Sequence, residues 1–367
     1  MSTITESKNI LALDIGYSAT KMSSKTITDF SDTALFKELQ SIKVISIPGG
    51  IAPLGQIDSG LSGVDYPVVT VDGQRYNTGL SHAVTSSDRT MSNRFVKTEE
   101  WKARFRSAIS YANFENDVID KLVLGLPCEH YYDQANPAAD SQLVRYLKQY
   151  CVGEILIDRD GESGKEKKVT IREVIVIPQP QGTYLGMISM EDNDELRQLA
   201  QQQRIMVLDV GYCTFDWILM DGLIVRTDLS GSAHLSYSDV LKGAANDLNH
   251  QSAEENNGRS FNYKHEDIEA AAFKGQSTIL GFRKTLYDIV EPLDKHARRV
   301  FAQVVKKIDP AIEANPVAAV ILTGGGASTF EPVVREWAYD ECGFELFSPD
   351  EPALLNARGY MAKAIMG

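Results

Sequence analysis

The chain has 367 residues, of which 43% are hydrophobic and 24% are charged, and its formal net charge is −13. This length is too great for one ordinary core and suits two lobes of roughly 150 residues or more. The acidic balance disfavours direct binding of DNA or RNA, which depends on clustered Lys and Arg. The chain has no apolar run near the roughly 20 residues of a membrane span, so no membrane role is expected. Four cysteines without paired spacing indicate free thiols in the cytoplasm.

The first part of the chain predicts strands followed by helices. Successive apolar residues predict a strand buried on both faces, alternation around an Asp-Gly pair predicts a hairpin, and apolar residues at helical spacing predict an amphipathic helix. In chain order these are a strand over 10–15, a hairpin over 68–76, a helix over 98–111, a strand over 118–126, and a strand that ends before Gln179.

The second part repeats this order, which suggests that the two lobes are built alike. The predicted elements are a strand over 205–210, a hairpin over 217–225, helices over 238–249, 265–273 and, longest, 278–308, a strand over 317–322, and a helical tail over 352–365.

Two short segments, 10–17 and 205–212, have nearly the same pattern. Each is a buried strand that stops on an aspartate, Asp14 or Asp209, and turns through a glycine. Facing each other across a cleft, two such turns could hold a polyphosphate between backbone N–H groups while the two carboxylates hold Mg²⁺. The duplicated turn therefore predicts a nucleotide site shared by two lobes.

Residues beside each turn complete the predicted phosphate contacts. In the first turn, Gly16, Tyr17 and Ser18 would donate backbone amides and Lys21 would neutralise charge, although Lys21 could also be a solvated strand lysine. In the second turn, the residues that would wrap the phosphates are Gly211, Tyr212, Cys213 and Thr214. Asp216 could instead be an ordinary exposed strand residue.

Two further segments suit the same chemistry. Gly324, Gly325 and Gly326 follow a predicted strand, where backbone without side chains lets a ring or ribose approach closely. Gln179 and Gln181 follow the last strand of the first lobe, where a neutral amide could orient an attacking water. The alternatives are a tight strand-to-helix turn for the glycines and polar loop residues for the glutamines.

These motifs resemble those of a known superfamily. Residues 14–21 resemble the first phosphate loop of the actin, heat-shock chaperone and sugar-kinase superfamily, residues 208–216 resemble the second, and residues 321–327 resemble its adenosine motif. Within it, Tyr17 and the segments 71–79, 124–127 and 176–182 resemble the bacterial plasmid-segregation branch, the ParM, StbA and Alp actin-like proteins. The motifs extend over nearly the whole chain.

The resemblance implies an α/β, actin-like two-domain fold of duplicated ribonuclease H-like domains with a nucleotide cleft between the lobes. Its first lobe would be residues 1–188 joined by a C-terminal helix over 350–367, and its second lobe residues 189–349. It implies ATP, or alternatively GTP, bound with Mg²⁺ at Asp14 and Asp209, and Gln179 in the water-positioning role. It also implies a filament of identical subunits that moves DNA through a small DNA-binding adaptor.

Two other functions share this superfamily. A sugar-type kinase would need an acidic base beside the phosphates, and the sequence offers no spare Asp or Glu near Gln179. A chaperone ATPase would need a peptide-binding domain, and only a short segment follows the triple glycine. A filament-forming ATPase is therefore the favoured hypothesis, with the small-molecule kinase as its alternative.

Overall fold

The computed structural model describes residues 7–29, 31–56, 66–81, 85, 95–112, 114–132, 140–158, 166–190 and 192–367. The described chain divides into two compact units. Unit 1 contains the described residues up to Gln201 together with Leu354–Gly367, and unit 2 is Gln202–Ala353.

Both units contain strands and helices. The strands are β1 (Lys8–Ile15), β2 (Ala19–Ile27), β3 (Ile45–Pro48), β4 (Gly50–Pro53), β5 (Val68–Val71), β6 (Gln74–Leu80), β7 (Val118–Leu126), β8 (Gly153–Asp158), β9 (Glu166–Pro178), β10 (Arg204–Val210), β11 (Phe215–Asp221), β12 (Ile224–Ala233), β13 (Thr278–Leu280), β14 (Leu286–Asp288), β15 (Ala319–Thr323) and β16 (Glu345–Phe347). The α-helices are α1 (Asp32–Gln40), α2 (Glu99–Ala112), α3 (Cys128–Tyr131), α4 (Gln142–Cys151), α5 (Gln179–Ile188), α6 (Asp194–Gln202), α7 (Tyr237–Glu255), α8 (His265–Phe273), α9 (Val290–Ala314), α10 (Ala327–Glu336) and α11 (Leu355–Met366).

Unit 1 is built on a six-stranded sheet in the order β3-β2-β1-β7-β9-β8. Strand β1 is antiparallel to β2 and parallel to β7, which in turn is parallel to β9. Its residues 10–13 are buried without alternation, as a strand covered on both faces must be. Because β1, β7 and β9 are parallel, their carboxyl ends lie at one edge of the sheet. A separate three-stranded sheet has the order β4-β6-β5.

Unit 2 repeats this arrangement with different residues. Its main sheet has the order β12-β11-β10-β15-β16, in which β10 is antiparallel to β11 and parallel to β15. Strand β10 is buried from Ile205 to Val210, just as β1 is buried in unit 1. The duplication predicted from the sequence is therefore a duplication of a hairpin next to a parallel strand.

Most predicted elements are confirmed, and one is wrong at its start. The predicted strand over 118–126 and helix over 265–273 coincide with β7 and α8. The predicted helix over 278–308 begins only at Val290, because residues 278–288 form the hairpin of β13 and β14. The turn of this hairpin contains Arg283 and Lys284, with φ of 54° and 66°. Asn, Asp and Gly are the usual residues at positive φ in such turns, so no sequence signal marks a hairpin here.

Two expectations concern the whole chain. In the described segments, no helix combines the length and the apolar character needed to cross a membrane. The four cysteines, all within those segments, form no disulfide, and Cys128 and Cys151 are buried.

Candidate functional site

The first candidate loop joins β1 to β2. It runs from Gly16 to Ala19, the first residue of β2, and the amide of Gly16 donates to the carbonyl of Ala19 at 3.0 Å. The turn itself thus uses the Gly16 amide, although this amide was predicted from the sequence to bind a phosphate. The other amides assigned to phosphate in this loop belong to Tyr17 and Ser18.

Asp14 ends its strand beside this loop and is only 3% exposed. Its partner across the hairpin is Lys21, and Lys21 Nζ lies 3.5 Å from Asp14 Oδ2. The Lys21 side chain is 14% exposed, so the reading of this residue as a solvated strand lysine is wrong. The pair places one negative and one positive charge beside the first loop.

Gln179 contacts the same carboxylate from another element. Its Nε2 donates to Asp14 Oδ1 at 3.1 Å. Gln179 is the first residue of α5, directly after β9, so the parallel order of β1, β7 and β9 brings it to the same sheet edge as Asp14. Gln179 therefore lies at a helix start rather than in a loop. Pro180 is a residue type that suits the first turn of a helix, so it was a sequence signal for this helix start. Gln181 lies two residues further along α5.

All four carbonyls of the first loop accept hydrogen bonds within unit 1. Arg104 Nη1 donates to Gly16 O at 2.6 Å and to Tyr17 O at 3.2 Å. The amide of Gly49 donates to Ser18 O at 3.0 Å, and Ala19 O accepts from Gly16. The loop therefore turns its acceptors toward the protein. Nothing in the sequence near residue 104 marks this long-range contact.

The second candidate loop, Gly211 to Thr214, joins β10 to β11 and has the same construction. The amide of Gly211 donates to Thr214 O at 2.9 Å, as Gly16 does in the first loop. The carbonyl of Gly211 accepts from the Tyr237 amide at 3.3 Å, and that of Tyr212 accepts from the Ser238 amide at 3.0 Å. These two donors are the first residues of α7.

The start of α7 is capped by Asp239, whose Oδ2 accepts from the Ser236 amide at 3.0 Å. Ser236 Oγ also donates to the carbonyl of Tyr212 at 2.6 Å, so the cap and the second loop share one residue. The Ser-x-x-Asp spacing is a recognised helix-start signal, and it could have been found from the sequence.

Asp209 stands in unit 2 where Asp14 stands in unit 1, and it is 4% exposed. Its partner across the hairpin is Asp216, at the position equivalent to Lys21. Asp216 is 1% exposed and accepts from Thr214 Oγ1 at 2.6 Å and from Ser232 Oγ. Its reading as an ordinary exposed strand residue is wrong, because it ties the second loop to β12.

The triple glycine follows β15 and precedes α10, against the end of β10. A Cβ on Gly324, whose φ is +95°, would lie 2.5 Å from Asp209 Oδ1, so this position requires glycine. The amide of Gly326 donates to Val210 O at 3.0 Å. A Cβ on Gly325 would meet no atom within 4 Å, so the backbone at Gly325 borders open space. Within unit 2 the structure thus joins Asp209, the second loop and the triple glycine.

Two α/β units, each with an aspartate-bearing hairpin beside a parallel strand, define the actin class of fold. Residues 12–182 match the family model described as "Actin like proteins N terminal domain", and residues 207–336 match that described as "Archaeal actin homologue MreB-like, C-terminal". The chain therefore belongs to the actin-like proteins.

Solved structures share this fold over nearly their whole length. The subunit of a 15-stranded ParM filament from Clostridium botulinum matches with a TM-score of 0.70 and 18% identity, covering 97% of this chain and 99% of that one. The pCBH ParM non-polymerisable quadruple mutant matches with a TM-score of 0.70 and 18% identity, covering 98% and 100%. The archaeal actin homologue Ta0583, in its complex with ADP, matches with a TM-score of 0.66 and 19% identity, covering 98% and 99%. No curated protein matches the sequence.

Proposed function

We propose that this protein is a cytoplasmic ATPase that binds Mg-ATP and assembles into nucleotide-dependent filaments, and that these filaments segregate plasmid DNA through a small DNA-binding adaptor. The observation that carries the proposal is the hydrogen bond from Gln179 Nε2 to Asp14 Oδ1 at 3.1 Å. It joins the proposed water-positioning amide to one of the two proposed magnesium carboxylates.

The residues of each unit fit a magnesium-bound triphosphate. The first loop has its carbonyls hydrogen-bonded to the protein and Lys21 beside it. In unit 2, Asp209 lies against Gly324, and the next residue, Gly325, borders open space. Mg²⁺ in nucleotide sites is usually held by one or two carboxylates plus phosphates, and each unit offers one such carboxylate, Asp14 in unit 1 and Asp209 in unit 2. When bound, the ion neutralises charge that develops on the phosphates.

Gln179 suits the orientation of a water molecule. Because its Nε2 is anchored on Asp14, its Oε1 is left as an acceptor at a fixed position. A neutral amide is too weak a base to remove a proton, so Gln179 would align the water and leave the charge stabilisation to the loops and the ion.

Polymerisation follows from the same nucleotide cycle. A head-to-tail contact between unlike faces forms an open filament unless its rotation closes a ring. A subunit that contacts its neighbour differently with ATP and with ADP makes that filament switchable. With a net charge of −13, the chain itself is poorly suited to DNA, so the proposed link to the replicon is an adaptor.

The test is assembly of the purified chain, followed by light scattering and electron microscopy. Filaments should form with Mg-ATP, disassemble as phosphate is released, and fail to form when EDTA removes the ion. A parallel sample with GTP compares the two nucleotides. A chain that stays monomeric at micromolar concentration across a range of salt would overturn the proposal. ADP release stimulated by sugars would instead indicate the small-molecule kinase.

A further inference from the structure

We infer that Arg104 is a positioning residue for the nucleotide, which it does not itself contact: its guanidinium fixes two peptide groups of the first loop so that their amides point toward the phosphates. This inference rests on the proposed function, because it assigns the loop a phosphate ligand.

The contacts come from the side of the loop that faces α2. Arg104 Nη1 donates to Gly16 O and Tyr17 O, and Nη2 donates to Tyr17 O at 3.3 Å. One planar guanidinium therefore holds two successive carbonyls.

Peptide geometry converts these contacts into a direction for the amides. In a trans peptide the C=O and the N–H that follows it point to opposite sides. The carbonyls of Gly16 and Tyr17 share their peptide groups with the amides of Tyr17 and Ser18. Holding both carbonyls on Arg104 thus directs the N–H groups of Tyr17 and Ser18 away from α2, and successive amides on one side form an anion-binding concavity.

The surroundings of Arg104 fit a fixed rather than a mobile side chain. It is 3% exposed and pairs with Glu100 one turn earlier in α2, so its buried charge is compensated. The ring of Phe95 lies 5.5 Å from its guanidinium carbon and stacks at 4.5 Å on Tyr17 of the loop. A Cβ on Gly49 would lie 2.6 Å from Arg104 Nη1, so the glycine leaves room for the guanidinium.

Unit 2 offers an internal comparison. There the equivalent carbonyls, Gly211 O and Tyr212 O, are held by the amides of Tyr237 and Ser238 at the start of α7. Both loops therefore have the same two carbonyls fixed from the protein side, once by a helix start and once by an arginine. Two different solutions to one requirement indicate that the direction of these peptide groups matters for what both loops do.

The decisive variant is Arg104→Lys, since an ammonium is a compact charge that cannot reproduce the planar fork. We expect nucleotide to bind roughly 10- to 100-fold more weakly. KM should rise and kcat should change little, because the direction of the amides affects binding of the ground state and of the transition state alike. The matched control is Arg106→Lys in the same helix, because Arg106 donates to the carbonyl of Thr70 instead. It should bind a fluorescent ATP analogue as the unmodified chain does.

Three outcomes separate the possibilities. Arg104→Lys that folds and binds nucleotide normally would overturn the inference and leave the proposed function intact. An unmodified chain that binds no nucleotide would instead overturn the proposed function. If Arg104→Lys does not fold, Gly49→Ala tests the inference instead, because it keeps the arginine and displaces its guanidinium. Weakened nucleotide binding by Gly49→Ala would support the inference, and normal binding would contradict it.

Discussion

Gly359 of α11 lies directly against the carbonyl oxygen of Gly182 in α5, so closely that a Cβ on Gly359 would overlap that oxygen. A Cβ on Gly186, one turn further along α5, would lie 2.8 Å from the carbonyl of Leu355. The two helices therefore pack backbone against backbone, which only glycine allows. Because α5 begins at Gln179, this crossing fixes the helix that presents the Gln179 amide to Asp14.

The first prediction is that Gly359→Ala destabilises unit 1 and slows hydrolysis. The added methyl group must push α5 and α11 apart, and overpacking of this kind typically costs about 1–3 kcal/mol. Denaturant unfolding should show the loss as a lower midpoint. The control is Lys363→Ala in the same helix, a surface change that should cost within about 0.5 kcal/mol. An unchanged midpoint for Gly359→Ala would contradict the packing argument.

The second prediction concerns Tyr184, a buried side chain of α5. Burial raises the pKa of its phenol from 10.0 to about 12. Because the folded-state pKa is the higher one, the contribution of Tyr184 to the free energy of unfolding is fully present below pH 10. It is lost as the pH rises from 10 toward 12. One pKa unit is worth about 1.4 kcal/mol, so ionising Tyr184 costs the fold on the order of 2–3 kcal/mol.

The measurement compares Tyr184→Phe with the unmodified chain by denaturant unfolding at a series of pH values. Below pH 10 the difference between their free energies of unfolding should be constant. Between pH 10 and 12 the variant should lose less stability. Parallel loss in both proteins over that range would show that Tyr184 does not govern the alkaline transition.

Local patterns predicted the strands that carry the two aspartates. Asp14 and Asp209 each end a run of consecutive apolar residues, and the following Gly marks the turn, so strand, aspartate and loop are all encoded within eight residues. The pairing of Asp14 with Lys21 also follows from the hairpin register, since both residues lie near one short turn.

Long-range contacts explain what the sequence did not predict. Arg104 lies far from Gly16 in the chain and has no local signal, because the shape of α2 and of the sheet decides where its guanidinium reaches. The α5 helix was missed because two prolines and a glycine close to Gln179 favour a loop, whereas packing on α11 stabilises the helix. Tertiary contacts supplied the missing information for Arg104 and outweighed local preference in α5.

The third prediction is that Gln179→Ala slows hydrolysis but spares nucleotide binding, which lengthens the life of filaments. The reason is that the amide aligns water without holding the nucleotide. Single-turnover hydrolysis and equilibrium binding of an ATP analogue measure the two properties separately. Gln181→Ala, two residues on in the same helix, is the control and should leave hydrolysis unchanged. An equal loss of binding and hydrolysis in Gln179→Ala would indicate a structural role instead.

The fourth prediction is that Asp14→Asn and Asp209→Asn each abolish magnesium-dependent hydrolysis. Each change removes one carboxylate and keeps the side-chain shape, so Mg-ATP affinity should fall roughly 10- to 100-fold, as expected for loss of a charged ligand. Affinity for ATP in EDTA should change less, or even rise, because a negative charge near the phosphates has been removed.

Titrations with and without Mg²⁺ therefore distinguish a metal ligand from a residue that only supports the loop, since a supporting residue would weaken both forms of ATP equally. The control is Asp228→Asn on β12, an exposed carboxylate paired with Arg226, which should leave both titrations unchanged. Unchanged turnover in either Asp14→Asn or Asp209→Asn would refute the metal assignment for that residue. A defect confined to one of the two variants would assign the magnesium ligand to that residue alone.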